Sequence, residues 1–453
     1  FFLFRFLIIF CKFALMKKLL LLLLCVPLIG LGQGWEKTFG GPNWDDGRSV
    51  QQTTDGGYII CGKTQLLNGV TGDYDVYLIK TDGNGNEQWS QTFGSIEYDA
   101  GHSVQQTTDG GYIICGKTNG YNFDADVYLI KTDAYGDSIW TKTFGDIWDE
   151  DEGNSVQQTT DGGYIITGMT SADIYLIKTD GNGDSSWTKT FTFNAYTMGN
   201  SVQQTTDGGY IIIGTTSANG GNGNWDSYLM KTDAYGDSIW TKTFGGGLIH
   251  MDGMSGQQTS DGGYIITGGT GIDLGGGIFA SIDLYLMKTD AYGDSIWTKT
   301  FGGSGNSQGY SVQQTTDGGY IIVGSSRFNG YDDVYLIKTD ANGIDQWNQS
   351  FPLTGTFNND KMPSIRHDFD VQQTTDGGYI ITGAYYLNGP DDVYLIKTDG
   401  NGNITSTFNI PINTNRELKK VVDILGRDIN PEKNKPFIEI YNDGTVEKKI
   451  IIE

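Results

Sequence analysis

The chain of 453 residues carries 54 acidic against 30 basic side chains, a formal charge of −24, which disfavours binding to nucleic acid or anionic lipid, since both need clustered Lys and Arg to displace counterions from phosphate. With 37% apolar and 13% aromatic residues it has ample material for a large buried core, and a chain of this length ordinarily divides into two or three domains. Cationic and neutral partners stay open.

Residues 1–15 (FFLFRFLIIFCKFAL) precede Met16 and read as upstream translation, not part of the mature protein. Residues 16–32 read as a signal peptide: Lys17 and Lys18 form the charged start, the apolar run is too short to span a bilayer, and Gly30-Leu31-Gly32 makes a small-residue exit. The alternative, a membrane anchor across residues 1–29, is interrupted by Arg5, Lys12, Lys17 and Lys18. An exported mature chain without a stable membrane span is therefore expected, secreted or held on the outer-membrane exterior.

Residues 33–408 are organised around TTDGGYII at Thr53–Ile60, which returns with small changes so that its Asp falls at 55, 109, 161, 207, 261, 317 and 376. Seven copies at a period near 50 residues, with strand-like content, indicate a propeller. One repeat, Ser103 to Gly145, reads SVQQT, TDGG, YIICGKT, a variable loop, DVYLIKTD, AYGD and SIWTKTFG. Each segment is short, rich in Val, Ile, Tyr, Thr and Trp, and bounded by Gly, Asn or Asp, as strands are. Asp-Gly-Gly and the DGNG or AYGD segments supply tight hairpin turns. YII and VYLI are apolar at successive positions and belong in mid-blade, whereas VQQT and WTKTF carry polar groups and belong at the edges. Bulky Trp and Phe place WTKTF outermost and VQQT innermost. The fold expected is all-β: a seven-bladed β-propeller of four-stranded antiparallel blades, plus a small C-terminal β-domain at 409–453. The outer-strand pattern occurs eight times, once as WEKTF (Trp35 to Phe39) and once as ITSTF (Ile404 to Phe408); WEKTF fits better and is expected to pair with Val393 to Thr398 and close the ring.

An Asp before each third strand (Asp75, Asp126, Asp173, Asp226, Asp283, Asp333, Asp392) and a Lys near its end (Lys80, Lys131, Lys178, Lys231, Lys288, Lys338, Lys397) recur sevenfold, which marks them as architecture; each Lys is expected to reach a carboxylate at the rim. The turns at Asp82, Asp180 and Asp340 space oxygen ligands like short calcium loops but lack a bidentate Glu, so no cofactor is expected and calcium is the secondary reading. Cys61 and Cys115 hold one repeat position on neighbouring blades and read as small buried side chains, too far apart to bridge.

Function is expected where the repeats break their own rule, on the face carrying the variable loops. Trp44, Trp148 and Trp225 lie there, with Tyr98, Tyr121, Tyr196, Tyr310 and Tyr331, near Asp45, Asp46, Asp149, Glu150 and Asp151, an arrangement suited to stacking on sugars or holding a cationic peptide. Arg48, Arg327 and Arg366 map to the same face on blades that ring closure makes neighbours, where guanidinium groups could grip a carboxylate. His102, His250 and His367 come from blades too spread for a metal site. No nucleophile elbow, zinc signature or phosphate-cradling loop is present.

The repeat resembles the bacterial SBBP-like propeller repeats, with their GG…D.G…DGGYI.TG.T…D.Y..K.D..G…W..T.GG pattern, and is similar in strand order to NHL-type propellers. The tail, chiefly KKVVDILGRDI and IYNDGTVEKKIII, resembles the C-terminal sorting domain of type IX (Por system) secretion substrates of Bacteroidetes, without its opening strands; that resemblance implies the type IX secretion machinery as a partner. The tail itself reads as a strand, a turn at Leu425-Gly426-Arg427 and a hairpin turning at Asn442-Asp443-Gly444. The function expected is a monomeric, non-catalytic surface module binding or adhering to glycan or protein, with an extracellular hydrolase or lyase using the Arg cluster as the alternative.

Overall fold

In each repeat the second Gly after the Asp admits no side chain: a Cβ on Gly57 would strike the Thr81 carbonyl and the Lys80 ammonium. Gly56 before it stands at φ +84°, a conformation open to Gly at little cost. These turns join the first two strands of every blade. A computed structural model of the chain describes residues 34–65, 73–119, 125–146, 149–193, 196–217, 225–274, 279–302, 305–328, 331–351, 369–386, 390–404, 418–422, 427, 436–441 and 446–450. The chain divides into two units, Phe1–Thr405 and Ser406–Glu453.

The first unit is a seven-bladed β-propeller of antiparallel blades, with no helix among the described residues. Blade 1 runs Asp45–Gln52, Tyr58–Gln65, Tyr74–Thr81 and Glu87–Phe93 in spatial order. Blade 2 repeats this from Asp99–Gln106 to Ser138–Phe144. The Ser-Val-Gln segments of the first strands line the central channel, and the outer strands alternate exposed and half-buried residues, so the predicted inner and outer edges hold. Ile59, Ile60, Leu78 and their counterparts are fully buried, packed against the next blade in clusters such as Ile59, Cys61, Leu78, Val104 and Tyr112.

Blades are tied by the recurring segments of the repeat itself. At six seams the first Gln of VQQ accepts the backbone N–H of the next blade's second Gln at 2.5–2.7 Å, as from Gln106 to Gln51. At all seven, the second Gln accepts the N–H of the residue before the turn Asp in the preceding blade, as from Thr54 to Gln106. On the outer side each strand's Trp meets the Tyr of the next blade's DGGYII at 5.7–6.1 Å between ring centres, an edge-on geometry that the aromatic quadrupole favours.

Ring closure follows the WEKTF reading. Trp35–Phe39 pairs antiparallel with Asp391–Thr398, Trp35 opposite Lys397 and Phe39 opposite Val393. Trp35 packs on Tyr58 of blade 1 and over Gly85, where a Cβ would meet its ring. Residues 405–408 of ITSTF lie outside the described residues.

Each recurring Lys meets the Asp of TTDGG on the preceding hairpin: Lys80 lies 2.9 Å from Asp55, and the other six pairs lie at 2.9–3.0 Å. Asp82, Asp180 and Asp340 each accept two amides of their own turn, as hairpin Asx turns do. Cys61 and Cys115 are buried free thiols in separate seam clusters. The second unit is a three-stranded antiparallel sheet of Leu418–Val422, Pro436–Tyr441 and Val446–Ile450; both predicted turn centres, Leu425-Gly426 and Asn442-Asp443-Gly444, fall outside the described residues.

Candidate functional site

The first strand of a blade reads G-x-S-V-Q-Q, with Gly256 for Val in blade 5 and Asp368 and Asp370 for Gly and Ser in blade 7, and the position x changes character all round the ring. It is Arg48, His102, Asn154, Asn200, Met254, Tyr310 and, where the Gly is replaced, Phe369. Because seven inner strands converge on the axis, these seven side chains, more than 40 residues apart in sequence, line one funnel of about 460 Å³ at the channel mouth. Its position at the start of the inner strands puts it on the variable-loop face. The size is that of a small-molecule site.

Blades 1 to 4 make a polar arc. Asp46, buried beside the funnel, takes Arg48 Nε at 3.2 Å and Lys63 Nζ at 3.4 Å. Burial alone would raise the Asp46 carboxyl, but the two cations hold it below the ordinary range. His102 Nδ1 lies 3.1 Å from Glu152 Oε1, and Lys117 Nζ 3.4 Å from Oε2; against the desolvation of Glu152, His102 and Lys117 keep it low. Asn154 and Asn200 donate across their seams to the carbonyls of Gly199 and Gly253 at 3.0 and 2.8 Å, which fixes the planes of both amides.

Blades 5 to 7 make an apolar arc. Tyr310 and Phe369, 7% and 3% exposed, tilt against each other at 5.9 Å, and Met254 packs beside them. The floor is a ring of serines, Ser49, Ser103, Ser155, Ser201, Ser255 and Ser311, interrupted by Asp370. Asp370 accepts the Val50 N–H at 3.0 Å and the Ser311 hydroxyl at 2.8 Å; burial raises its carboxyl despite these bonds.

The residues singled out from sequence are distributed as follows. Arg48 and Tyr196 line the funnel, Tyr196 being 38% exposed and edge-on to Trp225 at 5.5 Å. Trp225 is half-buried behind it. Tyr98 is half-buried in a local network, its hydroxyl accepting Lys63 Nζ at 2.8 Å and its ring lying against Tyr74. Trp44, 39% exposed, stands on the rim of blade 1. Arg327 is exposed and lines a neighbouring cavity, so the structure does not bring it into one pocket with Arg48. Trp148, Arg366, Tyr121 and His367 lie outside the described residues. Sequence reasoning missed Asn154, Asn200, Met254 and Phe369 and took His102 only as a failed metal ligand. The signal available was the x of G-x-S, the varied position in an otherwise repeated word. Among the described residues no group of three or more His, Cys, Asp or Glu could hold a metal ion.

No family model matches the chain, and no curated protein matches it. Solved structures do. An ulvan lyase of a polysaccharide lyase family, bound to GlcA(1-4)Rha3S, aligns with TM-score 0.50 and 10% identity over 81% of this chain and 97% of its own. A catalytically inactive virginiamycin B lyase from Staphylococcus aureus with quinupristin gives 0.47 and 11% over 81% and 100%. Sqt1 from Chaetomium thermophilum bound to the N-terminus of ribosomal protein L10 gives 0.43 and 10% over 91% and 98%. At such identities the likeness is one of fold, and these neighbours include enzymes and a binding protein alike.

Proposed function

We propose that the protein is a non-catalytic binding module whose ligand is a glycan seated in the funnel at the channel mouth. The observation that carries this is the division of the seven-residue ring into a polar arc of Arg48, His102, Asn154 and Asn200 facing an apolar arc of Met254, Tyr310 and Phe369. A pyranose has the matching chemistry, hydroxyls on its edge and C–H groups on its face, and the Tyr196 ring, 38% exposed at the funnel, suits the latter. The cations of the funnel are paired with Asp46 and Glu152, and the chain carries −24 overall, which favours a neutral glycan over a polyanionic one. Calorimetric titration of the purified protein with neutral glycans tests this. Tyr196→Ala is expected to weaken binding about tenfold or more without shifting the melting temperature, and Asn154→Ala to weaken it similarly with a small fall in melting temperature from the lost bond to the Gly199 carbonyl; unchanged affinity in both variants would refute the site.

The second reading, an extracellular hydrolase or lyase, draws on one observation, the His102–Glu152 pair inside the same cavity, a combination able to move a proton. Turnover of uronate polysaccharides lost with His102→Ala would favour it. Export and type IX sorting belong to the same proposal: they rest on the Lys17-Lys18 leader and the KKVVDILGRDI tail, and recovery of the protein outside producing cells tests them.

A further inference from the structure

We infer that the cleft between blades 5 and 6 is an extension of the funnel, so that the ligand is an oligosaccharide lying radially from the axis toward the rim and not a single sugar. The inference rests on the glycan reading above. The cleft, about 390 Å³, shares two walls with the funnel, Met254 and Tyr310, so the two spaces adjoin through the apolar arc. Blades 5 and 6 depart from the repeat in the way that makes such a cleft. The inner strand of blade 5 is broken into Ile249–Met251 and Ser255–Gln258, whereas blades 1 to 4 and 6 have an unbroken one of eight residues.

The middle hairpins are also longest there. Blade 5 pairs strands of 10 and 11 residues and blade 6 pairs two of 9, against 7 or 8 elsewhere. Their extra length raises walls on either side. At the break a polar knot joins the two blades: Asp252 accepts Gln308 Nε2 on both oxygens at 2.9 and 2.8 Å, the Gly269 N–H at 2.5 Å, and faces His250 Nε2 at 3.6 Å. The cleft thus offers the polar groups of His250, Asp252, Asn306, Gln308 and Arg327 beside the apolar Met254, Tyr310 and Ile282, the same mixture of polar and apolar chemistry as the funnel.

The test is calorimetric titration of the full chain with neutral glucose, mannose and galactose oligomers of one to six residues, repeated for Asn306→Trp. Asn306 is exposed at the cleft, so an indole there fills the cleft without entering the core. The wild type is expected to bind a tetramer at least about tenfold more tightly than the monomer, and Asn306→Trp to abolish that gain while leaving monomer affinity within about twofold. Affinity independent of length, or a length gain untouched by Asn306→Trp, overturns the extension while leaving the funnel reading standing. Absence of binding to every oligomer overturns both.

Discussion

Lys80 and Asp55 form an unequal pair: the lysine side chain is 4% exposed and the aspartate 57%. The ammonium also donates to the Thr81 carbonyl at 2.8 Å, while Asp55 accepts from Thr53, Lys80 and Gly57, which together hold its carboxyl down to about 2 against the burial that would raise it. The imbalance predicts asymmetric mutants. Asp55→Asn keeps the turn acceptor but leaves a buried ammonium facing a neutral amide, and is expected to cost about 1–3 kcal/mol. Lys80→Met leaves a carboxylate that water can reach and is expected to cost less than about 1 kcal/mol. Urea denaturation of both variants decides; equal losses would mean that the turn and not the ammonium sets the energetics.

At the scale of the elements, a row of side chains crosses each blade on the loop face, Asp45–Thr64–Asp75 in blade 1 and Asp99–Thr118–Asp126 in blade 2. Where rows meet, carboxylates face each other: Asp75 and Asp99 both crowd the space a Cβ on Gly94 would fill, as Asp126 and Asp151 do at Gly145 and Asp45 and Asp392 at Gly40. Burial, then Asp99 and Asp73, push Asp75 up to about 6; Asp99, Asp151, Asp45 and Asp392 are raised as well, burial being the leading cause in each. An acid raised in the folded state holds extra protons there, so its contribution to stability falls as pH rises through the window between the unfolded value near 4 and about 6. The melting temperature is therefore expected to be higher at pH 5 than at pH 7, and Asp99→Asn to raise the pH 7 value and shrink the difference. An identical pH dependence in Asp99→Asn would remove this seam as its source.

The whole molecule depends on its first strand for closure. Trp35–Phe39 supplies the outer edge of the last blade, and its Trp repeats at the seam of blades 7 and 1 the contact that six later Trp make within the chain. A chain beginning at Gly40 forfeits the burial of Phe39, about 1.5–3 kcal/mol, and a smaller contribution from half-buried Trp35, together a sizeable share of an ordinary 5–15 kcal/mol stability. Thermal unfolding of that truncated chain is expected to begin well below that of the parent. An unchanged melting temperature would show that another segment takes the edge.

Strand order, turn positions, blade number and closure were legible because each is a local or periodic property: Asp-Gly-Gly makes a tight turn wherever it stands, and an outer-strand pattern found before the first blade has a vacant edge to fill. The lysines were legible as structural for the same reason, although their partner, the Asp of the preceding hairpin, is set by strand register. The funnel was not legible. Arg48 and Tyr310 stand out in sequence as loop-face candidates, but Asn154, Asn200, Met254 and Phe369 each look like one unremarkable variation in its own repeat, and only closure of the ring brings the seven to one axis. Aromatic content on the loop face was an incomplete guide: of the rings it names, Tyr196 and Tyr310 line the funnel whereas Tyr98 and Trp225 are engaged with Lys63 and Tyr196, and Phe369 was not among them. The sequence by itself determined the scaffold, because hydrogen-bonding turns and strand periodicity act over a few residues; which side chains share a cavity was decided by tertiary structure, because convergence on an axis is a property of seven blades at once.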